Sequence, residues 1–271
     1  MPAPPEELFL TCVGMAVSLN AAFVPPASDK GAALYVRPLL FGSSPQLGLS
    51  PGDEYTFCVF VAPVGVYHGA SPVAALLLES FDRAAPRGTG SAKVGGNYAP
   101  VLKHSEGARA RGFGITLHVD AQTRSFIEEF STSGFLATKR DKETGGRTLV
   151  VPKSDGIIDS ITSECVQIIA EKTLGWKVEV RAVTVAELDE FEEVFAAGTA
   201  AALVPVKSIE TESGSWKKEY ATAEDGGPAE AVSVLLDKLR GVQTGRDEDV
   251  FGWRYSVGPV EVDEDGYMIK V

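Results

Sequence analysis

The chain has 271 residues, 44% of them hydrophobic, enough to fill a core in one large domain or two modest ones. Its 25 Lys and Arg face 37 Asp and Glu, and the formal net charge of -12 repels phosphate backbones and anionic lipid surfaces, which argues against nucleic-acid and membrane-surface partners. Three widely spaced cysteines (Cys12, Cys58, Cys165) read as reduced core thiols rather than a disulfide framework, and the 3 histidines stand at no metal-ligand spacing.

Leu8 to Val24 form an apolar stretch near the lower limit for a membrane span. Acidic Glu6 and Glu7 stand where a secretory signal carries Lys or Arg, and Thr11, Ser18 and Asn20 interrupt the run. A buried helix is expected, in a soluble, cytoplasmic protein. ALYVRPLLFG (33–42) and YTFCVFVAPV (55–64) are bulky, β-rich strands separated by turn residues. Residues 99–111 read as a helix stopped by Gly112. GITLHVD and RSFIEEF are strands around DAQT, and GFLATKRDKETGGRTLVVP is a hairpin with a charged, glycine-bearing turn. Thr162 or Ser163 can cap a helix running to Leu174 and ended by Gly175. WKVEVRAVTV is a strand, residues 185–194 carry helical spacing, and FAAGTAAALVPV returns to buried strand character. Pro228 opens a last helix expected to end near Gly241. Strands and helices mix without strict βαβ alternation, so the fold class is α/β or α+β.

The chemistry centres on Lys93 in SAKVGGNYAP. Two glycines close behind a lysine remove side-chain bulk, so a flat cofactor or substrate can lie against the backbone. A lysine amine in such a place is a nucleophile toward an aldehyde. The short pattern K-x-G-G alone also fits an exposed lysine before a glycine turn.

The longer string settles more. KVGGNYAP, followed by FIEEFSTSG with Glu129, resembles the fold-type-IV family of pyridoxal-phosphate enzymes. ALYVRPLLFG, DGIIDSIT, AAGTAAALVPV and LLDKLRGVQTGRDED occur in the order found in branched-chain aminotransferases, and the resemblance runs from about Glu6 to Trp253. It implies a large domain with a mixed, barrel-like sheet surrounded by helices over residues 31–253. Residues 1–30 would be the end of a small N-terminal domain with its linker, and 254–271 a C-terminal extension.

The resemblance also assigns roles. Lys93 would bind pyridoxal 5′-phosphate covalently and then move a proton as a base. Tyr98 would bond the cofactor's phenolate oxygen. Glu129 would pair with the ring nitrogen and keep it protonated, while Glu128 would point to the opposite face by strand alternation. Ile161 and Thr162, opening a helix, would hold the phosphate together with Thr199. Tyr35, Arg37, Tyr67, Thr132, Thr199 and Ala200 would line the substrate pocket, Arg37 offering a fork to a carboxylate. The implied reaction moves the amino group of branched-chain or other hydrophobic L-amino acids to 2-oxoglutarate in a homodimer. A second reading keeps the fold without turnover, as a binding or assembly protein; a third runs another reaction on the same fold. The chain departs from the family pattern in having no Lys or Arg before Lys30, Asp159-Ser160 before the phosphate helix, Gly134 where an asparagine is common, and Ala197 where a small hydroxyl residue is.

Overall fold

The computed structural model describes residues 1–29, 31–65, 71–262 and 268–270, and it divides into two compact units. One unit is Met1–Tyr67 with Asp249–Val271, the other His68–Glu248.

In the first unit, helix α1 (Glu6–Ser18) precedes strands β1 (Ala33–Gly42) and β2 (Tyr55–Val64), which pair antiparallel from Ala33↔Val64 to Gly42↔Tyr55. Both strands have the bounds read from sequence, because each is a bulky run closed by Gly, Pro and Ser. The helix differs from expectation. It stops at Ser18, before a short 3₁₀ turn at Ala21–Phe23, and none of its residues is buried. Within this unit a two-stranded ribbon offers it a narrow surface; Phe9 meets Phe57 with ring centroids 5.8 Å apart, while Leu8, Leu10 and Leu19 are exposed. Among the described residues, no helix is long and apolar enough to cross a membrane.

The second unit opens with β3 (Val73–Leu77) and continues with α2 (Ala99–Ala110), β4 (Ile115–Val119), β5 (Ile127–Phe130), β6 (Gly134–Arg140) and β7 (Arg147–Pro152). Then come α3 (Ile161–Ile168), β8 (Lys177–Arg181), β9 (Glu193–Gly198), β10 (Ala202–Thr211), β11 (Lys217–Glu219) and α4 (Glu230–Thr244). Strand β9 pairs β10 on one side and β6 on the other, so β3, β4, β5, β6, β9 and β10 close into a ring; β7 and β8 extend it beyond β6, and β11 beyond β10. Closure removes the exposed edges that an open sheet would leave. Pairing is mixed: β3 runs parallel to β4 and β10, while the other ring pairs are antiparallel. Leu117, Phe130, Phe135, Val194, Val206 and Ile209 fill the core.

Strand β3 was not visible in the sequence, since VAALLL lacks alternation. Its two faces explain this. Ala75 and Leu77 join the barrel core, while Leu76 and Leu78 pack with Ala108 of α2, so both faces are apolar. Three boundaries also move. Ser160, rather than Thr162 or Ser163, caps α3, its Oγ accepting from the Ser163 amide. Helical spacing at 185–194 yields one turn (Val185–Asp189), closed by a capping box between Thr184 and Glu187; Glu193 already belongs to β9. Helix α4 runs past Gly241, where it was expected to end, and stops at Thr244 with Gly245 as its cap at φ +76. Gly241 instead gives room to Arg246 and Asp247, which a Cβ would strike.

Helix α4 shows how the barrel fixes its surroundings. Ala229 at its N-cap has no side-chain acceptor, and Glu193 of β9 serves instead, accepting from the amides of Ala231 at 2.9 Å and Val232 at 3.0 Å. The carboxylate is buried, with Arg147 at 3.9 Å. Glu193→Ala leaves two buried donors unpaired and should cost about 3 kcal/mol in denaturant unfolding. Arg140→Ala, at exposed pairs with Glu192 and Glu230, should cost under about 1 kcal/mol. Equal losses for both variants contradict this assignment.

Candidate active site

The loop before α2 carries Lys93 in irregular backbone, held from beneath by buried Asn97. The Asn97 amide donates to the carbonyls of Thr89 at 2.6 Å and Ala92 at 2.8 Å, and its oxygen accepts from the Thr89 hydroxyl at 3.2 Å. These bonds replace the secondary-structure partners that the loop lacks. The Lys93 Nζ donates to the Tyr98 Oη at 2.8 Å and lies 5.0 Å from the centre of that ring. Space beside Gly95 and Gly96 is open: a Cβ on either would meet nothing within 4 Å.

Strand β5 supplies two buried carboxylates, Glu128 and Glu129. Glu129 Oε1 pairs with Nη1 of Arg83 at 3.0 Å, and its Oε2 accepts from the Ile158 amide at 3.3 Å. Burial pushes the Glu129 pKa up to about 7, against the opposing charges of Arg83 and Lys93. Glu128 accepts from the Ser154 hydroxyl at 3.0 Å, and its other oxygen has no partner among the described residues. Burial raises its pKa too. Arg83 also donates to the carbonyls of Gly90, at 3.4 Å, and Gly156. One guanidinium thus ties the Lys93 loop, strand β5 and the 154–158 loop together.

Three more segments converge beside this cluster. Gly134, after the β5–β6 turn, lies near the Ala197 carbonyl and Ser160, at 3.8 and 4.0 Å from where its Cβ would stand. Gly198 approaches Ser133 in the same way, at 3.3 Å. The turn carrying Thr199 and Ala200 therefore sits by the start of α3, where Ile161 and Thr162 present the amides that no helical carbonyl can satisfy. A cavity of about 650 Å³ has Ser91, Glu128, Glu129, Gly134, Ser160 and Ile161 in its wall, while Lys93, Tyr98, Thr162 and Thr199 do not line it.

Of the residues singled out in the sequence, Lys93, Tyr98, Glu129, Ile161, Thr162, Thr132, Thr199 and Ala200 all belong to the second unit. Thr132, Thr199 and Ala200 are exposed on their turns, and Asp159 is exposed beside the helix start. Tyr35 and Arg37 lie on β1 of the first unit, where Arg37 donates to the Tyr35 Oη at 2.8 Å and stacks over its ring. Tyr67 falls outside the described residues.

The family model of amino-transferase class IV matches residues 16–209. The chain belongs to the class IV aminotransferases. It is similar to Aminotransferase poxL of Penicillium oxalicum, 50% identical over 254 residues that cover 93% of this chain and 68% of that protein. Aminotransferase atnJ of Emericella nidulans is 48% identical over 97% of this chain and 75% of its own length. Among solved structures, the holo-form of the branched-chain amino acid aminotransferase from Thermobaculum terrenum superposes with a TM-score of 0.66 at 25% identity, covering 83% of this chain and 69% of that one. Class IV aminotransferases work through pyridoxal 5′-phosphate, and the barrel with its surrounding helices is their fold.

Three residues that shape the site of this aminotransferase escaped prediction from sequence: Arg83, Asn97 and Ser160. Arg83 sits in FDRAAPRGTG, whose proline and two glycines give no periodicity to mark it as buried. Asn97 was in view as part of GGNY but offered no signal of its loop-holding role. Only Ser160 had one, being a capping residue beside an apolar run.

The Glu129 shift has a consequence for stability without cofactor. The folded chain keeps this proton over a range where the unfolded chain has lost it. Stability therefore falls as pH rises from about 4.5 to about 7, by roughly 3 kcal/mol in total. Glu129→Gln should remove that slope in cofactor-free melts. A Gln variant with the parent's pH dependence would show that Glu129 titrates normally.

Proposed function

We propose that the chain is a pyridoxal-phosphate-dependent aminotransferase acting on branched-chain or other hydrophobic L-amino acids with 2-oxoglutarate as acceptor. The observation that carries this reading is the Lys93–Tyr98 bond of 2.8 Å beside the buried Glu129 carboxylate, whose charge responds to Lys93. The residues fit the cofactor: an amine with a phenol partner, a buried acid for the ring nitrogen, and a helix start for a phosphate. The relatives named above and the branched-chain enzyme of Thermobaculum terrenum support the same class of reaction.

In this reading Lys93 would hold the cofactor and serve as the base for the proton on the substrate Cα. Tyr98 keeps the Lys93 amine in place and would bond the ring oxygen. Glu129 would face the ring nitrogen and keep it protonated. Bound there, pyridoxal phosphate supplies a cationic conjugated ring that accepts the electron pair left when the Cα–H bond breaks. The amides of Ile161 and Thr162 and the hydroxyl of Thr199 would hold the phosphate. Thr132 and Ala200 would line the substrate pocket in the second unit, and Arg37 with Tyr35 on the first unit offers a fork for a carboxylate. We assign a homodimer. On the β1–β2 ribbon, Leu39, Phe41 and Phe60 are exposed on the face shared with Arg37, an apolar surface of the kind that drives association.

Incubation with pyridoxal phosphate followed by borohydride should leave a stable adduct on Lys93. Peptide mapping that places it on another lysine, or finds none, contradicts the reading. Glu129→Ala should still form the adduct, while single-turnover transfer from L-leucine or L-valine, normalised to bound cofactor, falls about a hundredfold or more, mainly in kcat. A parent that binds cofactor but gives no half-reaction would favour a binding protein on this fold.

A further inference from the structure

Two buried carboxylates, Glu128 and Glu129, stand next to each other on β5 with one guanidinium close by. Their surroundings are not equal. Glu129 has the Arg83 contact at 3.0 Å, the Ile158 amide at 3.3 Å and the Lys93 charge, against the like charge of Glu128. Glu128 feels the Arg83 charge without touching it, and has a hydroxyl from Ser154 at 3.0 Å and an oxygen with no partner among the described residues; Asp120 adds a like charge. A buried ionised oxygen without a donor is costly, so the contact with Arg83 is what supports Glu129 as an anion. Gly156 lies so near Glu128 that a Cβ there would strike its carboxylate, which leaves little room for an ordering water on that side.

Arg83 is itself fixed from several sides. It donates to the carbonyls of Gly90 and Gly156, and its side chain is 2% exposed. The titratable group facing it from β4, His118, is buried and held neutral, its pKa lowered to about 3 by burial, by the Arg83 charge and by His104. Strand β4 carries no carboxylate to compete for the guanidinium, and His118 bonds Thr116 at 3.2 Å.

We propose that Arg83 is a positioning residue for amino transfer, which holds the Glu129 carboxylate at the Lys93 loop and favours its ionised form. The consequence rests on the reading of Glu129 as the ring-nitrogen partner. Without Arg83, the proton shared between ring and carboxylate moves toward oxygen, and the ring loses the charge that makes it an electron acceptor. Arg83 touches neither substrate nor reacting atoms; it acts through the carboxylate.

The test uses the full chain loaded with pyridoxal phosphate carrying ¹⁵N in the ring, whose chemical shift reports protonation of that nitrogen. The parent and Arg83→Lys should show a protonated ring at neutral pH. Arg83→Met should shift the balance toward the unprotonated form by roughly tenfold to a thousandfold, the effect of losing an adjacent opposite charge. A protonated ring in Arg83→Met overturns the proposal, as does an unprotonated ring in Arg83→Lys with its charge retained. An unprotonated ring in the parent refutes the role of Glu129 itself, and so is told apart from a failure of Arg83 alone. Should Arg83→Met not fold, Arg83→Gln, which keeps a donor but not the charge, decides by the same ring shift: an unprotonated ring is expected, and a protonated one overturns the proposal.

Discussion

The 3.0 Å contact between Arg83 and Glu129 is the constraint on which the site depends. Both side chains are almost wholly withdrawn from solvent, so each needs the other: leaving one charge buried alone costs about 3–5 kcal/mol. The same guanidinium reaches the backbone of the Lys93 loop and of the 154–158 loop. Charge balance and loop geometry are therefore one problem with one solution. An acid buried enough to be pushed up to about 7 stays available near neutral pH because a fixed cation opposes the push.

The closed barrel makes that arrangement possible. Strand β5 is short and buried along its whole length, so both Glu128 and Glu129 are drawn out of water by the strands and loops around them. The turns that meet at Gly134, Ser160 and Gly198 leave the barrel where β5, β6 and β9 adjoin. Rigid strands set the floor, and loops bring the amide donors and the amine to it. Asn97 does for the Lys93 loop what strand pairing does for the floor, satisfying backbone carbonyls that would otherwise have no donor.

Much of this is legible in the sequence where the physics is local. Strands β1 and β2 announce themselves by bulky runs between turn residues, α2 by its stop at Gly112, and the β6–β7 hairpin by its charged turn. Lys93, Tyr98 and Glu129 stand out through motif resemblance, because cofactor chemistry dictates residue types at fixed places. What cannot be read depends on distant partners. Strand β3 is apolar on both faces because α2 covers its outside, which no periodicity records. Arg83 is buried by residues far from it in the chain, and its own segment looks like a surface turn. The α4 start is capped by Glu193 from another strand, where local rules look only to neighbouring residues. Glu128 shows the limit of alternation: opposite faces of a strand need not mean one face in water.

The central claim is that Arg83 and Glu129 act on the cofactor as one unit, and a double-mutant cycle on cofactor affinity tests it most directly. Arg83→Met, Glu129→Gln and the double variant would be compared with the parent by equilibrium dialysis against pyridoxal phosphate. If the two residues work through each other, the double variant should bind no more weakly than the worse single variant, since the second change removes a partner already lost. Losses that simply add would mean that Arg83 and Glu129 serve the site independently, and would contradict the account.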